Sequence, residues 1–124
     1  MSHIFTSQII KGKQLGRSLG FPTANMAVDD NLQLENGVYA VKIELNNVSY
    51  FGVANLGFKP TIEGDFPRTL EVNIFDFSED IYGQRLQVEF LKKIRNQQKF
   101  SSLDKLKQNI EQDILKTKEY IKCL

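Results

Sequence analysis

Along residues 37–45 the apolar side chains Tyr39, Val41, Ile43 and Leu45 alternate with Val38, Ala40, Lys42 and Glu44. A period of two belongs to a β-strand, and here it predicts one apolar and one mixed face, as in an antiparallel sheet half exposed to solvent. Runs rich in Val, Ile, Phe and Tyr, bounded by Gly, Asn, Asp or Pro, predict further strands over residues 5–11, 48–54, 70–77 and 85–94. Asn46 and Asn47 separate two of these runs and tolerate positive φ, which predicts a tight two-residue hairpin. In the last quarter the period changes. Leu103, Leu106, Ile110, Ile114 and Ile121 recur at helical intervals among Lys, Asp, Gln and Glu, predicting an amphipathic helix of about five turns lying on the body of the domain. Ser101 is the expected N-cap, with Asp104 in the first turn as in a short capping box, favouring the positive end of the helix dipole. No strand alternates with a crossover helix, as a parallel sheet would demand, so the element order predicts an all-β barrel with a helical appendage.

Composition narrows the class of partner. The 124 residues, 41% hydrophobic and 25% charged, are enough for one domain, 1–124, with a single buried core. Sixteen basic against fifteen acidic residues leave a net charge of +1, which lacks the lopsided basic surface that nucleic acid or an anionic membrane requires. An oligonucleotide-binding barrel would also fit a small Greek-key fold, but the chain has no aromatics interleaved with a basic stripe. No apolar run approaches the ~20 residues of a membrane helix. Cys123 is the single cysteine, so no internal disulfide can form. The first residues carry neither a basic start nor a long apolar core, and a cytoplasmic protein is expected.

The densest chemistry lies in Gly16-Arg17-Ser18-Leu19-Gly20-Phe21-Pro22-Thr23-Ala24-Asn25. Glycines at 12, 16 and 20 let the main chain turn tightly and bring bare N–H groups close to an anion. Pro22 fixes its own φ and pushes Phe21 toward extended geometry, so Thr23 and Asn25 are presented from a defined backbone. A hydroxyl and an amide oxygen two residues apart are hard ligands of the kind Mg²⁺ takes alongside substrate phosphate. Residues 12–18 look superficially like a P-loop, but the spacing is one residue short, Arg17 stands where lysine is needed, and no helix follows at once. Glu71 alternates with Leu70 and Val72, which places it on the face opposite the aliphatic side chains.

Pro22-Thr23-Ala24-Asn25 resembles the signature of riboflavin kinases, and the resemblance continues in order along nearly the whole chain. Asn36-Gly37-Val38-Tyr39-Ala40, Asn55-Leu56-Gly57-Phe58-Lys59-Pro60-Thr61, Glu71-Val72-Asn73-Ile74-Phe75-Asp76-Phe77, Asp80-Ile81-Tyr82-Gly83 and the stretch from Phe90 through Arg95 to Phe100 are each similar to a family motif. Asn73 stands where the family commonly has histidine. The resemblance implies a six-stranded antiparallel Greek-key barrel with the active-site loops at one end and a C-terminal α-helix. It implies transfer of the γ-phosphoryl of ATP to the ribityl 5′-hydroxyl of riboflavin, giving FMN and ADP. On that reading Glu71 is the general base, Thr23 and Asn25 hold Mg²⁺ and nucleotide, and Gly12 and Arg17 complete the nucleotide cradle. Tyr82, Leu86, Arg95 and Phe100 are the candidate flavin residues. The bacterial members that the chain most resembles usually carry an N-terminal FMN adenylyltransferase domain, which nothing in these residues matches; the chain then reads as the kinase module of a larger protein or as a stand-alone kinase. A flavin-binding or regulatory module without turnover is the alternative on the same barrel.

Overall fold

The computed structural model describes residues 3–10, 23–28, 32–57, 68–77 and 81–124. The strands are β1 (His3–Ile10), β2 (Ala24–Val28), β3 (Gly37–Leu45), β4 (Val48–Gly57), β5 (Arg68–Ile74) and β6 (Arg85–Arg95), followed by one helix, α1 (Leu103–Lys122). They close into an antiparallel barrel in the order β1-β2-β5-β4-β3-β6, with β6 paired back to β1. Three successive strands, β3 to β5, form a meander, and β6 returns to lie beside β3, which is the Greek-key arrangement. Among the described residues no helix is long and apolar enough to cross a membrane.

The barrel follows from the alternation. Met26 and Val28 of β2, Val41 and Ile43 of β3, Leu56 of β4, Leu70 and Val72 of β5, and Leu86 and Val88 of β6 fill the interior with almost no exposure. Burying each such side chain contributes on the order of 1.5–3 kcal/mol, and closure leaves no exposed sheet edge. Tyr39 joins this core edge-on to Phe90, with ring centroids 5.3 Å apart, and its hydroxyl donates to the Glu35 carbonyl at 2.6 Å. Burial raises the phenol's pKa above its ordinary value.

Strand β3 departs from the expected half-exposed pattern. Val38 and Ala40, on its outer face, are buried as well, together with Val53 of β4, because α1 lies against the outside of β3, β4 and β6. The other differences are of boundary. Strand β4 runs on to Gly57 because Asn55, Leu56 and Gly57 pair with β5, and β5 stops at Ile74, where Asp76 turns the chain at φ 57°. Strand β2 was not expected from periodicity, since its five residues are too few to show one. The helix begins one residue later than Ser101: the Ser102 side chain accepts from the Lys105 amide at 3.2 Å, and the Leu106 amide opens the helical ladder on the Ser102 carbonyl. Asp104 remains in the first turn.

Two contacts tie the segment before β3 to the barrel. The Arg68 guanidinium donates from Nε to the Asn36 side chain at 2.9 Å, from Nη1 to the Leu32 carbonyl at 2.9 Å, and from Nη2 to the Leu34 carbonyl. Lys93 pairs with Glu35 at 2.8 Å, which holds the carboxyl below and the ammonium above their ordinary pKa values. This exposed pair's contribution is therefore lost as pH falls through the depressed carboxylate value or rises through the elevated ammonium value.

The Asn46-Asn47 hairpin forms as expected. Both residues have positive φ, 51° and 66°, between the closing pair Leu45 and Val48, which defines a type I′ turn. Asn47→Gly should preserve or raise stability by a few tenths of a kcal/mol, whereas Asn47→Val should cost about 1–2 kcal/mol, because a β-branched side chain resists the left-handed conformation. Urea unfolding of the two variants against the unaltered protein checks the sign of each.

Candidate functional site

The register of β2, β5 and β4 builds a polar patch on the outer wall of the barrel. Asn25 is the Cα partner of Glu71, and Glu71 is in turn the partner of Asn55. The neighbours of each along its strand, Ala24 and Met26, Leu70 and Val72, and Ala54 and Leu56, all belong to the interior core. Alternation therefore turns Asn25, Glu71 and Asn55 outward together, as three polar side chains abreast on adjacent strands. Exposure rises along the row: Asn25 is buried at 5% exposure, Glu71 is half-buried and Asn55 is exposed. Asn73 sits two positions from Glu71 on the same outward face, and Thr23 immediately precedes β2; both are half-buried.

This donor set fits a magnesium–phosphate site. Thr23 supplies a hydroxyl, Asn25 an amide oxygen and Glu71 a carboxylate. Among the described residues no group of three His, Cys, Asp or Glu could hold a metal by itself. Mg²⁺ ordinarily needs no such cage, since it takes one or two protein oxygens and completes its shell with phosphate and water.

The same transverse row continues across the barrel. Asn55 pairs with Val38, and Val38 with Arg95 at the end of β6, where register shifts in the β3–β6 ladder bend the strand. Three strand spacings along the wall are half the circuit of the six-stranded barrel, so Arg95 and Glu71 face outward on opposite sides of it. Arg95 is engaged in a bidentate ion pair: Nε and Nη2 each meet an Asp113 carboxylate oxygen at 2.8 Å, with the two side chains 18% and 6% exposed. Its Nη1 donates to the Asn96 carbonyl at 3.1 Å, and its guanidinium carbon lies 5.5 Å from the centre of the Phe100 ring. Gln97, between these two residues, occupies the space that a Cβ on Gly57 would fill. The segment 96–100 is thereby held over the end of β4, two residues from Asn55.

The remaining candidates are placed elsewhere. Tyr82, 57% exposed, is in the turn of residues 81–84, where Gly83 takes φ 85°, at the opposite end of β6 from Arg95. Strand rise puts the two about 30 Å apart. Leu86 is fully buried in the barrel interior, where it packs as core. Gly12 and Arg17 lie outside the described residues. The structure thus sets Asn25 beside Glu71, with Thr23 two residues before Asn25 in the chain, and places Arg95 and Phe100 on the opposite side of the barrel, at the other end of β6 from Tyr82. Asn55 was legible only as part of a motif. Its position beside Glu71 comes from a pairing between strands whose alignment no local pattern fixes.

Helix α1 rests on the barrel through an unexpected face. The most buried helical residues are Asp113 and Thr117, while Leu106, Ile110, Ile114 and Ile121 are half-buried and Leu103 is 57% exposed. Arg95 is the cause, since a cation at the end of β6 draws the acidic position of the helix inward. Among the described residues the Thr117 hydroxyl is the buried side-chain polar atom without a hydrogen-bond partner.

A six-stranded closed antiparallel barrel in Greek-key order with one C-terminal helix is the fold class to which the chain belongs. The chain belongs to the riboflavin kinase family: the family profile described as riboflavin kinase (flavokinase) matches residues 1–121. It is 49% identical over 114 residues to the bifunctional riboflavin kinase/FMN adenylyltransferase of Haemophilus influenzae, covering 91% of this chain and 37% of that protein. The chain therefore spans little more than a third of that relative's length. Among solved structures it resembles riboflavin kinase from Trypanosoma brucei at TM-score 0.66 and 25% identity, over 96% of this chain and 79% of that one. It also resembles a Streptococcus pneumoniae chain described as a macrolide-efflux protein, at TM-score 0.79 and 36% identity, over 89% of this chain and 36% of that one.

Two stability outcomes follow from the helix contact. Arg95→Ala should cost about 3–5 kcal/mol, because it strands the Asp113 carboxylate in a buried setting. Thr117→Val should raise stability by about 1 kcal/mol by removing an unsatisfied hydroxyl at nearly constant volume, whereas Thr117→Ala should lower it. Chemical denaturation with the slope compared across variants measures both.

Proposed function

We propose that this chain transfers the γ-phosphoryl group of ATP to the ribityl 5′-hydroxyl of riboflavin, and that the outer-wall patch of Thr23, Asn25 and Glu71 carries the reaction. The observation that supports it most directly is the pairing of Asn25 with Glu71: a metal-ligand type and a half-buried carboxylate face outward on adjacent strands. Thr23 and Asn25 would hold Mg²⁺ from the side of β2. When bound, the ion neutralises charge on the phosphates and fixes their orientation.

Glu71 then stands one strand away from those oxygens. It orients the acceptor hydroxyl and takes its proton as the oxygen bonds to the γ-phosphorus and the bond to the bridging oxygen of ADP breaks. Most of the acceleration in such a transfer comes from positioning, so a carboxylate held by a barrel strand suits the task better than one on a mobile loop. Arg95 and Phe100 are assigned to the flavin on the family resemblance, and they lie on the opposite side of the barrel from Glu71. Leu86 and Tyr82, at the other end of β6 from Arg95, are assigned to the flavin on the family resemblance alone. Gly12 and Arg17 are assigned to the nucleotide on the same ground.

FMN is the substrate that an adenylyltransferase consumes. The bifunctional relative joins the two activities in one chain, and we place this chain's product in the same relation to a partner domain. Small-molecule substrates, a net charge of +1 and a lone cysteine favour a cytoplasmic enzyme that does not act on nucleic acid.

The protein incubated with riboflavin, ATP and Mg²⁺ should yield FMN, with no product when nucleotide or divalent cation is omitted. Glu71→Gln should lower turnover by ~10²–10⁴-fold with substrate affinities and thermal stability near those of the unaltered protein. Thr23→Ala and Asn25→Ala should weaken MgATP binding more than riboflavin binding. Chromatography of the flavin products and calorimetric titration read these outcomes. Flavin binding without FMN across several divalent metals would instead identify a binding module on the same barrel.

A further inference from the structure

We propose that Asn73 is a further substrate-binding residue of this site, its side-chain amide donating a hydrogen bond to the phosphates of the nucleotide. The inference rests on the kinase reading of the site. Strand β5 alternates strictly: Leu70, Val72 and Ile74 are buried in the core, and Glu71 and Asn73 face outward, both half-buried. Asparagine is depleted in β-strands, so position 73 carries a residue that the strand itself does not favour. Its Cα partner on β4 is Val53, a buried aliphatic residue beside which a branched apolar side chain would pack well. The polar surroundings lie on the other flank. Asn25 of β2 is the Cα partner of Glu71, and Ala24 that of Val72, so Asn73 stands diagonal to Asn25 across the β2–β5 ladder.

Phosphates held beside Asn25 and within reach of Glu71 must lie over the outward positions next to both. Asn73 is such a position, two residues from Glu71 along β5 and diagonal to Asn25, at about the 7–8 Å spacing of diagonal neighbours on one face. Its chemistry suits an anion beside a base. A carboxylate at 73 would repel the phosphates, and a lysine there would pair with Glu71 and lower the basicity of the proton acceptor. A primary amide does neither. It has two N–H donors and an oxygen acceptor, so a contact within the wall leaves it able to donate to a phosphate oxygen. Two residues further on, Phe75 has the Lys118 ammonium of α1 5.2 Å from its ring centre, which keeps that cation four residues from Glu71 along the strand direction. Asn73 moves no proton; it holds the group that Glu71 helps to transfer.

Two variants of the whole chain test this by thermal melting, calorimetric titration with MgATP and fluorescence titration with riboflavin. Asn73→Val places a strand-favouring side chain beside Val53, so it should melt at or above the temperature of the unaltered protein. Its Kd for MgATP should nevertheless rise roughly 10- to 100-fold, as expected for loss of a hydrogen bond to a charged group, with the riboflavin Kd within about twofold. Asn73→Asp, equal in size but without a donor, should lose at least as much nucleotide affinity. A residue that serves only the wall predicts the opposite pairing, a more stable Asn73→Val with nucleotide affinity intact. That result, equal losses for both ligands, a large fall in melting temperature, or an Asn73→Asp that binds MgATP as tightly as the unaltered protein would each overturn the proposal. FMN formation by the unaltered protein would leave the kinase reading standing in every one of these cases; its absence would remove both.

Discussion

The candidate site of this protein depends on the register of one strand. Strand β5 lies between β2 and β4, and its pairing sends Leu70, Val72 and Ile74 into the barrel and Glu71 out between Asn25 and Asn55. A slip of one residue would reverse every side chain. Three aliphatic side chains would lose on the order of 1.5–3 kcal/mol each, and Glu71 would enter an apolar interior without a partner, at a further cost of several kcal/mol. Against a net stability of about 5–15 kcal/mol such a slip is not tolerated. The core thus sets the position of the carboxylate without touching it, and closure of the barrel removes the sheet edges at which the pairing could fray.

The second organising contact lies where α1 meets the barrel. A buried bidentate ion pair such as Arg95–Asp113 loses much of its Coulombic gain to desolvation, so its net contribution to stability is modest compared with the loss when one member is removed. Its effect is on placement. It selects the helical face that rests on β3, β4 and β6, at the expense of the apolar stripe visible in the helix's own periodicity. It also fixes the start of segment 96–100, which Gln97 seats over Gly57 and whose Phe100 lies beside the Arg95 guanidinium. One side chain therefore orders the helix and the border of the candidate flavin site. Arg95 carries this structural load whether or not it also meets the flavin.

The two organising contacts share a direction. Asn25, Glu71, Asn55, Val38 and Arg95 follow one another through successive strand pairings, so the polar patch and the helix anchor occupy a single line around the wall. That line runs half-way round the closed barrel, so its two ends lie on opposite walls. The required precision comes from strand spacing, which varies far less than loop geometry does.

Much of this was determined by the sequence itself. The period of two over residues 37–45, the period of the helix, the Asn46-Asn47 turn and the outward face of Glu71 all arise from bonds and sterics within a few residues, and each appears in the structure at or near its expected place. The glycine-rich run, Pro22-Thr23-Ala24-Asn25 and the later motifs likewise pointed to the family. Other features were decided by tertiary structure. Strand β2 is too short to declare a period, and β4 is lengthened by its partner. The outer face of β3 is buried by a helix distant in sequence, Asp113 is drawn inward by a cation on β6, and Tyr82 is carried to the far end from Arg95. Asn55 gains its neighbour only when β4 and β5 align. Local patterning specifies which face a side chain takes, because the backbone period is local. Which side chain stands opposite it depends on contacts across the barrel, and those exist only once the whole sheet has closed.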